Sequence, residues 1–122
     1  MVIDKNLMDN LTEQAKMSPR LRMNLDLRNS PEDQSQRMMN ALEPGTIVNI
    51  HRHEDTSEVV SVIRGSLVEY FYDENHNVIE TIRAAAGSDV PAFVVPKGML
   101  HNCESLESGT VIIECKDGAY KG

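Results

Sequence analysis

From Gly45 onward the sequence reads as strand after short strand. Seven runs rich in Val, Ile, Tyr and Phe follow one another, at 46–51, 58–64, 67–72, 78–84, 92–95, 100–105 and 110–115. Each is bounded by Gly, Pro, Asn or Asp. Short strands at such close spacing predict a sandwich or small barrel. Asp73-Glu74-Asn75-His76-Asn77 reads as a polar hairpin loop and Arg64-Gly65-Ser66 as a tight turn.

The first 42 residues differ. Ile3, Leu7, Met8, Leu11 and Ala15 fall on one face of a helix, which Ser18-Pro19 must end because proline cannot continue the ladder. Leu21, Met23, Leu25 and Leu27 alternate with polar residues, so a short extended strand is expected within 20–29. Residues 30–42 read as one helical turn from Ser30-Pro31, followed by a strand. The expected organisation is an N-terminal helix and arm over 1–29, packed on a barrel formed by 30–122, as one structural domain.

Composition decides partners more than fold. A chain of 122 residues, 40% hydrophobic and 25% charged, can bury one sizeable core. Twelve Lys and Arg against nineteen Asp and Glu give a net charge of −7, and the excess lies wholly beyond residue 40. A general grip on nucleic acid is therefore not expected, since that needs concentrated positive charge. An acidic body draws divalent cations more readily than polyanions. No run approaches the roughly 18 apolar residues of a membrane span. The first residues show no basic-then-apolar leader pattern, so a cytoplasmic protein is expected. Cys103 and Cys115 are then expected to be free thiols.

The chemistry concentrates in two places. His51 and His53 are two apart, which on a strand turns both imidazoles to one face. Glu58 opens the following run and can fold back beside them. Two imidazoles and a carboxylate suit a first-row transition metal. His101 follows a Pro96-Lys97-Gly98 turn and can begin a strand lying opposite the first pair.

Gly45-x5-His51-x-His53-x4-Glu58-x6-Gly65 matches the first motif of the cupins at every defined position, and Pro96-x-Gly98-x2-His101 resembles the core of the second. The chain as a whole resembles the WbuC family of cupin-fold metalloproteins. That likeness includes Ser18-Pro19-Arg20-Leu21-Arg22-Met23-Asn24, the approach over 37–45 and the closing Glu114-x-Lys116-x-Gly118-x-Tyr120. The resemblance implies a mainly β, single-domain cupin, a double-stranded β-helix or jelly-roll barrel with a short N-terminal α-helix. It implies one divalent transition metal (Fe, Zn, Ni or Mn) in the barrel mouth, held by His51, His53, Glu58 and His101. It also implies a role in cell-surface polysaccharide metabolism, including O-antigen, with a small-molecule ligand such as a sugar or nucleotide sugar. The reaction stays open between isomerase or epimerase chemistry, an iron-dependent dioxygenase and a non-catalytic sugar- or metal-binding module. A homodimer is expected, because small cupins pair through sheet edges or swapped strands. The second motif departs from the family pattern at Val90, where glycine is usual, and at Ser105, where asparagine is usual.

Other residues carry two readings each. Tyr70 and Tyr72 share one strand face and would offer hydroxyls to a ligand if that face lined the barrel. Cys103 shares parity with His101, which points it inward as a small core residue or a neighbour of the metal. Cys115 and the Met38-Met39 pair read as core. Arg20, Arg22 and Arg28 form a basic cluster that would contact an anionic group if this segment covered the mouth. His76 reads as an exposed loop residue. No lysine or further histidine at a motif position offers an obvious base.

Overall fold

The computed structural model describes residues 1–118; Tyr120, part of the closing likeness, lies outside the described residues. One helix precedes eight strands: α1 (Lys5–Met17), β1 (Arg22–Asp26), β2 (Ser35–Leu42), β3 (Glu58–Arg64), β4 (Ser66–Tyr72), β5 (Val78–Ala85), β6 (Ala92–Val95), β7 (Leu100–Ser105) and β8 (Thr110–Asp117). They form a five-stranded sheet, ordered β1-β2-β8-β3-β6, and a three-stranded sheet, ordered β5-β4-β7, with antiparallel pairing throughout. This is the mainly β jelly-roll architecture that the short runs predict.

Strand alternation divides the apolar residues between two cores. Val60, Val62, Leu67, Phe71, Phe93, Val95 and Ile112 pack in one cluster between the sheets. On the outer face of the larger sheet, Met39, Ala41 and Val111 are fully buried beneath Leu11 and Ala15 of α1. Met23, Leu25 and Leu27 join this second cluster, so the period of two on β1 turns its apolar side to the helix. Burial of an aliphatic side chain contributes about 1.5–3 kcal/mol. The helix face thus supplies most of what holds α1 in place.

Polar ties fix its ends. The Leu7 amide donates to the N-cap carboxylate Asp4 at 2.9 Å, and Ser18 ends the helix in extended backbone before Pro19. Arg64 clamps helix to barrel. It donates to Asp9 Oδ1 at 2.7 Å, to Thr12 Oγ1 at 3.0 Å and to the Gly109 carbonyl at 2.7 Å. Buried Glu43 accepts from Ser108 Oγ at 2.6 Å and the Gly109 amide at 2.8 Å on the same rim. Among the described residues, no helix is long and apolar enough to cross a membrane.

Three expectations need correction. The run 46–51 is not a strand. Only His51 pairs, through a two-way backbone bridge to His101 (3.1 and 2.9 Å), and Ile47 is 80% exposed. Its β-branched residues cross the barrel mouth, where Thr46 Oγ1 donates to the Arg20 carbonyl and Asn102 Nδ2 to the Val48 carbonyl. Cys115 is exposed rather than core, because β8 turns Ile112 and Glu114 inward and leaves residue 115 outside. The helical turn expected from Ser30-Pro31 does not form; the Asp33 amide donates to the Ser30 carbonyl in a single non-helical turn before β2. Met38 and Met39 are both buried, as expected, Met39 under the helix and Met38 in the cavity wall.

Candidate metal centre and its cavity

The two sheets enclose an open cavity of about 800 Å³, and the three histidines sit in its wall. His51, His53 and His101 are exposed, half-buried and buried, respectively. Their ring centroids lie 4.2 to 5.4 Å apart. Arg52, between the first two, pairs with Glu74 on the hairpin loop at 2.7 Å.

Backbone carbonyls orient the rings. His51 Nδ1 lies 2.9 Å from the Asn49 carbonyl and His101 Nδ1 lies 2.9 Å from the Met99 carbonyl. Each Nδ1 can only donate to such a partner, which leaves the lone pair on Nε2. This arrangement prepares imidazoles for a metal ion. Burial, and to a smaller extent His51 and His53 nearby, push His101 down to about 4, against the opposing Met99 hydrogen bond and Glu58. It is therefore neutral near pH 7, the form that ligates. The Gly98 amide donates to the His53 carbonyl at 2.8 Å, which ties the turn before His101 to the loop that carries His53.

Candidate donor atoms of the three histidines lie within 4.8 Å of one another. Nitrogens sharing one ion at about 2.1 Å stand roughly 3–4 Å apart, so small ring rotations close the difference. The group could hold a metal ion. Glu58 is buried at the head of β3 with its Oε2 3.3 Å from His53 Nε2, but it falls outside the group of three mutually close histidine donors.

Two carboxyls in the cavity stand outside both histidine motifs: Glu69 belongs to no motif, and Glu114 only to the closing likeness. Glu69, 4% exposed, lies opposite Cys103 in register and shares its strand side with core residues Leu67 and Phe71. Glu114 lies opposite Val60 and Met38 and follows Ile112 on the inward side of β8. Burial, then the nearby charges of Glu58 and Glu114, raise Glu69 to about 9. Burial and Glu58 also raise Glu114, against an opposing hydrogen bond from Asn40. The signal that could find them is parity: each glutamate is two residues from an inward apolar neighbour. A carboxyl held protonated in the wall can give a proton to a bound molecule as a general acid, and becomes a base only after that transfer.

This has a measurable consequence in metal-free protein. Glu69 holds its proton more tightly folded than unfolded, since about 9 exceeds the ordinary 4.5. Its contribution is complete below pH 4.5 and is lost as pH rises towards 9. Glu69→Gln is therefore expected to be more stable than wild type at pH 8, by about 4 kcal/mol, and nearly equal at pH 4.5. Parallel denaturant titrations at the two pH values check this. A difference independent of pH contradicts it.

The other candidates fall as follows. Tyr70 and Tyr72 do not line the cavity; Phe71 takes the inward side, and the phenols bond Glu104 (2.5 Å) and Asn102 (2.7 Å). Cys103 does line it, packed against the inner core, and burial pushes its thiol far up, so it behaves as a small apolar residue. The arginine cluster divides. Arg20 and Arg22 line the cavity, whereas Arg28 turns back to Asp26 at 2.8 Å. His76 sits in the exposed hairpin with φ 64°. Ser105, in place of the usual asparagine, is buried and bonds the Glu107 carbonyl at 2.9 Å. Gln36 is 2% exposed, and its Oε1 has no hydrogen-bond partner among the described residues. An unpaired buried acceptor costs about 1–3 kcal/mol.

Several solved structures share this shape. KdgF from Halomonas sp. superposes with a TM-score of 0.67 at 18% identity, covering 85% of this chain and 84% of that one. The capsular polysaccharide assembling protein CapF from Staphylococcus aureus gives 0.63 at 25% identity, covering 80% of this chain and 26% of that one. A germin-like protein, subfamily 3 member 4, of Arabidopsis thaliana is 38% identical over 64 residues; this is 52% of the present chain but only 29% of the germin-like protein. These likenesses and the two-sheet architecture give the chain a cupin-like jelly-roll fold. A family model described as a domain of unknown function, DUF6016, matches residues 3–84, which include His51, His53 and Glu58, and the chain belongs to that family.

Proposed function

We propose that this chain is a cupin metalloprotein that binds one divalent transition metal through His51, His53, Glu58 and His101 and acts on a small molecule in the cavity. The observation that carries the reading is the group of three imidazoles, two of them with Nδ1 held on backbone carbonyls and Nε2 left to ligate. An ion bound there supplies a Lewis acid for a carbonyl or hydroxyl oxygen. The chain adds a buried carboxyl, Glu69, that can hold a proton beside the ligand.

The substrate class proposed is a sugar or nucleotide sugar of cell-surface polysaccharide metabolism. The resemblance to the WbuC family supports it, as does the fold likeness to a protein described as assembling capsular polysaccharide. A cytoplasmic homodimer is proposed with it. The two free cysteines agree with a reducing compartment. The edge strands β1 and β6 of the larger sheet offer places to pair.

The test is turnover. Metal-loaded protein is incubated with a panel of sugars and nucleotide sugars, and each mixture is followed by NMR. Conversion of one of them that is lost in Glu69→Gln, with binding retained, supports a metal-assisted enzyme. Binding without chemical change makes the barrel a binding module, and neither binding nor change contradicts the substrate class.

A further inference from the structure

Part of the cavity wall, formed by β1 and β2, carries polar side chains alongside Met38 and Leu42. Side chains filling small barrels are normally apolar. Here β1 and β2 turn Met23, Leu25, Met39 and Ala41 to the helix and present Arg22, Asn24, Gln36 and Asn40 to the cavity. Register connects this side to the candidate metal centre. Gln36 lies opposite Lys116, and Lys116 lies opposite Glu58. Two strand spacings separate Gln36 from Glu58, about 10 Å. A molecule of one sugar ring, with one end at the histidines, spans that distance.

Two independent features say what it would carry. Gln36 is buried, faces the cavity and has an unpartnered Oε1, which only a donor such as a hydroxyl can satisfy. Arg20 and Arg22 line the same side in a chain of net charge −7. Arg22 is oriented by donating from Nη1 to the Ile47 carbonyl at 2.7 Å. Acids share the cavity: Glu114, on β8 beside β2, feels the charge of Arg22 and is raised by burial, and Glu54, Asp55, Glu58, Glu69 and Asp117 line other parts of the wall. Guanidinium groups in such a setting select a carboxylate or phosphate.

We propose that Gln36, Arg20 and Arg22 form a subsite for the anionic end of a hydroxyl-bearing small molecule, either a sugar acid or a sugar phosphate. The assignment rests on the proposed small-molecule site and names its ligand class. It makes the cavity two-ended: histidines at one end, an amide oxygen and guanidinium groups at the other.

Isothermal titration calorimetry tests it on the full chain, with metal content measured on the same samples. The probes are D-glucuronate and D-galacturonate, the corresponding hexose 1-phosphates, and the neutral hexoses. At least one anionic probe is expected to bind at least ten-fold more tightly than its neutral counterpart. Whether the acid or the phosphate binds tells the two sources apart. Arg20→Gln, at an exposed position, is expected to remove most of that preference. Gln36→Leu is expected to weaken binding about ten-fold while the melting temperature holds or rises, because it removes an unsatisfied acceptor. Equal binding of neutral and anionic probes overturns the subsite, as does a preference unchanged in Arg20→Gln. Loss of binding in Gln36→Leu that merely follows a fall in melting temperature overturns the role of Gln36. Protein that holds metal yet binds no anionic probe refutes the subsite and leaves the metal reading standing. Anion binding by protein that takes up no metal does the reverse.

Discussion

His101→Ala is expected to lower the affinity for a divalent transition metal by about 100-fold or more. Outer-shell partners of a metal site are worth about 10–100-fold, and His101 is itself one of three close donors. The geometry makes the loss specific. His101 is 3% exposed, neutral near pH 7 and held through Nδ1 on the Met99 carbonyl, so its Nε2 needs little reorganisation to ligate. The backbone bridge between His51 and His101 does not involve either ring and should survive the substitution. Competition titration against a chromophoric chelator reads the affinity, and circular dichroism checks the fold. His51→Ala, at an exposed position, gives a second variant in case the buried change disturbs the barrel. His76→Ala, in the hairpin loop, should leave affinity unchanged. Affinities within three-fold of wild type in both His51→Ala and His101→Ala would sink the assignment.

Gly65→Ala is expected to be the most damaging small change in the fold. Gly65 has φ +79°, and a Cβ there would come within 2.8 Å of the Thr110 Cα. Thr110 cannot give way, because it is fully buried and its hydroxyl accepts from the Ser66 amide (3.2 Å) and donates to the Glu107 carbonyl (2.8 Å). Left-handed backbone and overpacking each cost about 1–3 kcal/mol, so a loss of about 2–4 kcal/mol is expected. For a domain of this size that lowers the melting temperature by roughly 10 °C. Gly98→Ala separates the two effects. Gly98 also has φ +79°, but a Cβ added there would meet no atom within 4 Å, so only the backbone cost applies. Calorimetry of the pair should therefore rank Gly65→Ala well below Gly98→Ala. Equal melting temperatures would mean that the contact with Thr110 is not what requires glycine.

The strands are legible because their turns are. Runs predicted at 58–64, 67–72, 92–95 and 100–105 match β3, β4, β6 and β7 within a residue, since Gly65, Pro91 and Pro96 punctuate them. The helix is legible from its apolar face and its proline stop. The run 46–51 misleads because β-branched residues signal extended chain without saying whether a partner strand exists. Only His51 finds one.

At the site, spacing identifies the histidines but not the wall around them. An isolated glutamate in a β run ordinarily marks the solvent face, which hides Glu69 from a sequence reading and gives Glu114, visible in the closing likeness, no inward position. The inward face of β4 is undetermined until Phe71 is placed in the core, which puts Glu69 inside and both tyrosines outside. Likewise, the basic cluster is visible, but nothing in its spacing tells Arg22, which lines the cavity, from Arg28, which pairs with Asp26 two residues away.

That three histidines and Glu58 hold a metal ion is tested most directly by elemental analysis of tag-free protein purified without chelator, beside the His51→Ala and His101→Ala variants. Close to one equivalent of a first-row divalent metal is expected in wild type, with a near-complete loss in both variants. Wild-type protein that stays metal-free after reloading with iron, zinc, nickel and manganese would contradict the assignment.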